Sequence, residues 1–137
     1  MDVQGIPKDI SGIFFELIHC MRLDEADFRM FYEGGIELLD EGRLDDAYKI
    51  LDYTRDCSKG IDQRLNDYST MYSSFAKGFI QKRNNMEIER SLKDKIADSV
   101  HKCLRKYKDD SLEQDIETMS ANLGIHEYIT KKIGTRE

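Results

Sequence analysis

Residues 61–83 read IDQRLNDYSTMYSSFAKGFIQKR, and this stretch decides the fold. Ile61, Leu65, Tyr68, Tyr72, Phe75 and Phe79 step by three or four residues. Those steps place all six on one stripe of an α-helix, where a strand would need alternation by two. Ser69, Ser73, Ser74 and Gly78 lie beside the aromatics. Such small side chains let a neighbouring helix come close. The aromatic stripe therefore predicts core, although the same rings would also suit the wall of a peptide groove or cofactor site.

Working outward, the same periodicity recurs on both sides. Ile10, Ile13, Phe14, Leu17, Ile18 and Met21 predict a first helix, opened by Asp9 or Ser11 after Pro7. A second runs from about Asp24 through Phe28, Phe31, Tyr32, Leu38 and Leu39 to Gly42. A third starts with Asp45 as N-cap and turns Ala47, Ile50, Leu51 and Thr54 inward. Gly60 either ends that helix or lies within one long helix. After Asn84-Asn85 come Ile88, Leu92, Ile96, Val100, Cys103, Leu104 and Tyr107. Ser111-Leu-Glu-Gln114 reads as a capping box that opens a helix through Leu112, Ile116, Met119 and Leu123, closed by Gly124. A short tail helix passes Tyr128 and Ile129 and frays before Gly134.

Composition agrees. The only proline is Pro7, and Val occurs only at positions 3 and 100. Without proline or β-branched runs, Leu, Ile, Glu, Lys, Asp and Arg favour helix over sheet. The 137 residues suit one domain, 1–137, with no linker rich in Pro, Gly or Ser. The expectation is an all-α, antiparallel up-and-down bundle of four main helices with shorter terminal ones. Short links should make consecutive helices pack antiparallel. The alternative is a set of tetratricopeptide-like helical hairpins.

That alternative rests on residues 28–54. Gly35 stands at the first small position, Gly42 at the turn and Ala47 at the small position of the second helix, with Phe31, Leu38 and Leu51 bulky. In this stretch the chain resembles one tetratricopeptide hairpin, whose small residues bring two antiparallel helices close. The resemblance covers one hairpin. Gly34 replaces the family's leucine, and one period of 34 residues later Gly35 and Ala47 become Ser69 and Gln81.

Charge and cysteine usage limit the function. The net charge is −6. Residues 1–70 carry 8 basic and 16 acidic side chains, net −8, while residues 71–137 carry 13 and 11, net +2. The overall sign disfavours a general nucleic-acid binder. The asymmetry either orients a partner or only reflects solvated helix faces. Cys20, Cys57 and Cys103 are widely spaced, which fits neither a disulfide framework nor a structural zinc site. A reducing, cytoplasmic setting follows as the expectation, with each thiol a small apolar filler. No apolar run reaches the roughly 20 residues of a membrane span. The opening MDVQGIPKD lacks the pattern of a signal peptide.

Few residues invite chemistry. Glu16-Leu-Ile-His19 and Asp98-Ser-Val-His101 each set a carboxylate three residues before a histidine, on one helix face. Two such pairs on facing helices can hold two metal ions. At about 100° per residue, Glu16 and His19 lie about 130° from the centre of their helix's apolar stripe, and Asp98 and His101 about 140–160° from theirs. They are expected to face solvent, leaving only a site between subunits. His101-Lys-Cys103 diverges on a helix and chelates poorly. No nucleophile elbow, phosphate loop or dinucleotide glycine motif is present. The sequence accordingly names no catalytic residue, cofactor-binding residue, cofactor or metal ligand.

Lys77, Lys82 and Arg83 close one helix, and the run from His101 to Lys108 closes the next. Cations at helix C-termini suit the macrodipole without any ligand. If the two ends met, they would form a phosphate-binding patch. The reading is a non-enzymatic helical interaction or assembly domain, with a protein partner or self-association as a homodimer. Phe15, Met30, Tyr48, Tyr53 and Met71, off the main stripes, offer a second apolar strip. The alternatives are a metal-dependent enzyme with a site between helices or subunits, and an accessory nucleic-acid-binding subunit.

Overall fold

The computed structural model describes residues 25–134, and these are all-helical, with no strand. The six described helices are α1 (Glu25–Asp40), α2 (Leu44–Ser58), α3 (Gln63–Arg83), α4 (Arg90–Lys106), α5 (Asp110–Leu123) and α6 (His126–Gly134). The expected helix through Ile10 and Met21 lies outside the described residues. No described helix is long and apolar enough to cross a membrane.

The turns explain the boundaries. Gly42, Gly60 and Gly124 all sit in the left-handed region, at φ +79°, +80° and +74°. That conformation costs glycine little and other residues much. Gly60 therefore ends α2 and does not continue it. Ile61 falls in that turn and is 55 % exposed, so the α3 stripe begins at Leu65. Asp62 caps α3 by accepting from the Leu65 N–H at 3.1 Å. Two expected caps are displaced. Arg43 precedes α2, and Asp45 lies in its first turn, where its carboxylate favours the positive end of the helix dipole. Asp109, not Ser111, caps α5, accepting from the Leu112 N–H at 3.1 Å.

Side-chain bonds fix the direction of each helix. Asn66 near the start of α3 donates to the Arg55 carbonyl near the end of α2, and Arg83 at the end of α3 pairs with Asp45. Helices α2 and α3 are thus antiparallel. So are α3 and α4, because Asp67 meets Lys106 at one end and Gln81 accepts from the Glu89 N–H at the other. Along α5 the partners advance together with α3: Tyr68 with Asp109, Tyr72 with Asp115, Lys82 with the Asn122 carbonyl. Helix α5 is therefore parallel to α3. Arg29 of α1 reaches Asp62 at the start of α3, so α1 shares that direction.

The bundle is organised as three hairpins, α1/α2, α3/α4 and α5/α6, with α3 at the centre. Consecutive helices pack together except at one junction. Helix α5 leans on α3 and α6, while α6 packs on α4. One apolar cluster runs through all six helices and includes Leu38, Leu51, Met71, Phe75, Ile96, Val100, Leu123 and Ile129. The tail helix is docked through buried Ile129, with Tyr128 and Lys132 both donating to Asp94.

Two glycines permit close approach. A Cβ on Gly35 would lie 2.6 Å from Leu51 Cγ and 2.9 Å from Ile50 Cγ2. That is the close contact the hairpin resemblance requires. A Cβ on Gly78 would lie 3.1 Å from Leu123 Cδ1, where α5 crosses the central helix. Helix α3 is buried on almost every side, polar residues included. Ser74 and Thr70 satisfy their hydroxyls on carbonyls four residues back, at 2.7 Å each.

Candidate functional site: a concave face along α1, α3 and α5

The three parallel helices form one concave face. Helices α1 and α5 both rest on α3 and make little or no close contact with each other. Two clefts of about 400 and 260 Å³ fill the gap, and a third of about 280 Å³ adjoins them between α1 and the start of α3. They are continuous. Ile36, Tyr72 and Asp115 line the first two, and Tyr32, Glu33 and Tyr68 line the second and third.

The floor is aromatic because of the α3 stripe. Tyr68 and Tyr72 are buried to 7 % and 4 % exposure, yet their outer edges line the clefts. Tyr32 of α1 stands between them, its ring centroid 5.9 Å from Tyr72 in an edge-to-face contact and 6.2 Å from Tyr68. Phe79 and Met119 extend the apolar floor toward Asp40. Each polar tip has a partner. Tyr72 Oη donates to Asp115 Oδ2 at 2.7 Å, and Tyr68 Oη donates to Asp109 Oδ2 at 3.0 Å. Burial pushes all three tyrosine pKa values upward. These phenols remain neutral donors, and no histidine or thiol lines the clefts to act beside them.

The two ends differ in charge. Near the start of α3, Arg64 lies over the Tyr68 and Tyr107 rings, 5.2 and 5.4 Å from the centroids. It also reaches Asp109 at 3.5 Å, and Arg29 reaches Asp62 at 3.8 Å. Asp109 is held below the usual carboxylate range, first by the Leu112 N–H. At the other end, Asp40 and Asp115 line the rim, and neither they nor Glu33, which lies midway and also lines the cleft of Arg29 and Arg64, pairs with a cation among the described residues. Burial raises the Asp40 carboxyl, with help from the negative charge of Asp115.

The residues singled out from sequence do not gather here. Glu16 and His19 lie outside the described residues, as do Phe15 and Cys20. Asp98 is exposed and His101 half-buried on α4. No group of three or more His, Cys, Asp or Glu among the described residues could hold a metal ion. The basic ends do not meet. Lys102 and Lys106 reach Asp67 near the start of α3, whereas Lys82 and Arg83 end that helix, about 22 Å away at 1.5 Å per residue. The phosphate-patch expectation fails because the helices run antiparallel. Among the described residues the second apolar strip does not form either. Met71 is fully buried, Tyr53 packs edge-on against Phe31, and Met30 is exposed alone.

One buried group lies outside every motif in the sequence. Asp67, 2 % exposed, accepts from Tyr107 Oη at 2.7 Å and Gln63 Nε2 at 2.8 Å. Lys106 lies at 3.3 Å. A lone carboxylate among small and aromatic residues of a central helix was the available hint. Its bonds clamp α3 to α4. Beside it, burial pushes the Cys103 thiol up to about 12, so it stays protonated.

Comparison with known protein families, curated proteins and solved structures finds no match.

Proposed function

We propose that this chain is a non-enzymatic interaction or assembly domain that presents the concave face of α1, α3 and α5 to another polypeptide. The observation that carries the reading is the aromatic-floored cleft between α1 and α5. Rows of helical hairpins offer such faces to extended or helical ligands. Apolar floors with a few fixed polar groups suit binding. The lining holds phenols and carboxylates but no nucleophile–base pair. A reducing cytoplasmic setting belongs to the same proposal, supported by the unpaired Cys57 and Cys103.

The test is peptide display selection against the full chain and against Thr118→Arg, which fills the cleft from an exposed position on α5. The reading expects one class of sequences enriched by the parent and lost with Thr118→Arg. Light scattering would show whether a second copy takes the same face. A monomer that enriches nothing would contradict the proposal.

A further inference from the structure

The charge of this face narrows its occupant. Helix α1 carries five acidic and one basic residue, net −4, and α5 carries four acidic and none, also net −4. Two acids on this face are matched, Asp62 by Arg29 and Asp109 by Arg64, as Asp45 is by Arg83 and Asp94 by Lys132 elsewhere. Glu33, Asp40 and Asp115 are the exception among the described residues on this face. They surround an apolar strip of Ile36, Tyr72, Phe79 and Met119.

We infer that the concave face receives a basic amphipathic α-helix of a second protein, its apolar side on Tyr72, Phe79 and Met119 and its Lys or Arg side chains against Asp40 and Asp115. This rests on the docking reading above. A helix fits because the cleft is straight, walled by two parallel helices with a third as floor. Arg29 to Asp40 spans eleven residues of α1, about 16 Å, so about three turns of ligand would engage. A cation between Asp40 and Asp115 would offset both the burial that chiefly raises the Asp40 carboxyl and the Asp115 repulsion that adds to it. Arg29 and Arg64 occupy the opposite end and are already engaged with Asp62 and Asp109. They exclude a second cationic cluster there and so fix which end of the ligand carries its positive charge.

The probe is a fluorescein-labelled Leu/Lys amphipathic helix of about 18 residues, long enough to fold on the face. Its counterpart keeps the leucines and replaces every Lys with Glu. Anisotropy with the full chain should show the Leu/Lys helix binding at least about tenfold more tightly, and more weakly as salt rises. Asp40→Asn with Asp115→Asn should weaken it about fivefold or more. Glu113→Gln with Glu117→Gln removes the same charge from exposed positions that do not line the cleft and should change it less than about twofold. Equal losses from both pairs, equal binding of the Leu/Glu helix, or no binding of the Leu/Lys helix would overturn the inference. If display selection returns acidic or neutral sequences sensitive to Thr118→Arg, docking stands and the basic ligand falls. A homodimer dissolved by Thr118→Arg does the same. If selection returns nothing and the chain is a monomer, both readings fall.

Discussion

The two flanks of α1 are built by opposite means. Toward α2 the chain removes side chains. Gly35 has none, Ala47 is fully buried, and Leu51 and Ile50 press against the α1 backbone. Toward α5 it inserts the rings of Tyr32, Tyr68 and Tyr72 and holds the far helix through hydroxyl–carboxylate bonds. Small residues close one gap and large amphipathic ones keep the other open. Hydrogen bonds at the rim cost little in packing, so α5 can be positioned without being pressed onto α1. The first flank is tightly packed, and the second leaves an open cleft.

Substitutions on the two flanks should therefore differ in size. Leu51→Ala, at a fully buried position, is expected to cost about 2–5 kcal/mol by chemical denaturation, the largest effect here. A cost near zero would mean that α1 and α2 are not tightly packed. Gly35→Ala comes next. Its Cβ would meet Leu51 Cγ, the branch point and not the tip of a side chain. Overpacking of about 1–3 kcal/mol outweighs the roughly 1 kcal/mol gained in helix propensity, leaving a net loss of about 1 kcal/mol. A stabilised variant would remove the close approach.

On the open flank, Tyr72→Phe removes the donor to Asp115 and is expected to cost about 0.5–1.5 kcal/mol. The smallest effect comes from Asp40. Its folded-state carboxyl titrates above the ordinary value, so the native state holds that proton more tightly than the unfolded chain. Its favourable contribution exists at low pH and is lost as pH rises through the folded value. Asp40→Asn should raise Tm slightly at neutral pH, with the gain vanishing below about pH 4. Asp109, shifted the other way by the Leu112 N–H, should show the reverse: Asp109→Asn lowers Tm at neutral pH and matters less on acidification.

Local rules made much of the fold legible. The stripe of Leu65, Tyr68, Tyr72 and Phe75 is the core edge of α3, and Gly35, Gly42 and Ala47 marked the first hairpin correctly. Caps were harder. At α5, Asp109 and Ser111 both offered an oxygen at helix-start spacing, and the earlier carboxylate took the Leu112 N–H. The concave face was not legible. It depends on Tyr72 finding Asp115 and Tyr68 finding Asp109, partners 43 and 41 positions away. No local pattern announces such pairs. Leu104 shows the same limit: it fits the α4 periodicity yet is 36 % exposed, with no described helix covering that side.

Everything assigned to the open face depends on α5 running parallel to α3. Oxidative cross-linking with mass-spectrometric mapping tests this directly, using Lys82→Cys with Asn122→Cys and, separately, Lys82→Cys with Asp110→Cys. All three positions are exposed. The account predicts a disulfide in the first pair, where Lys82 reaches the Asn122 carbonyl, and none in the second. A bond between positions 82 and 110, with none between 82 and 122, would reverse α5 and dismantle the concave face.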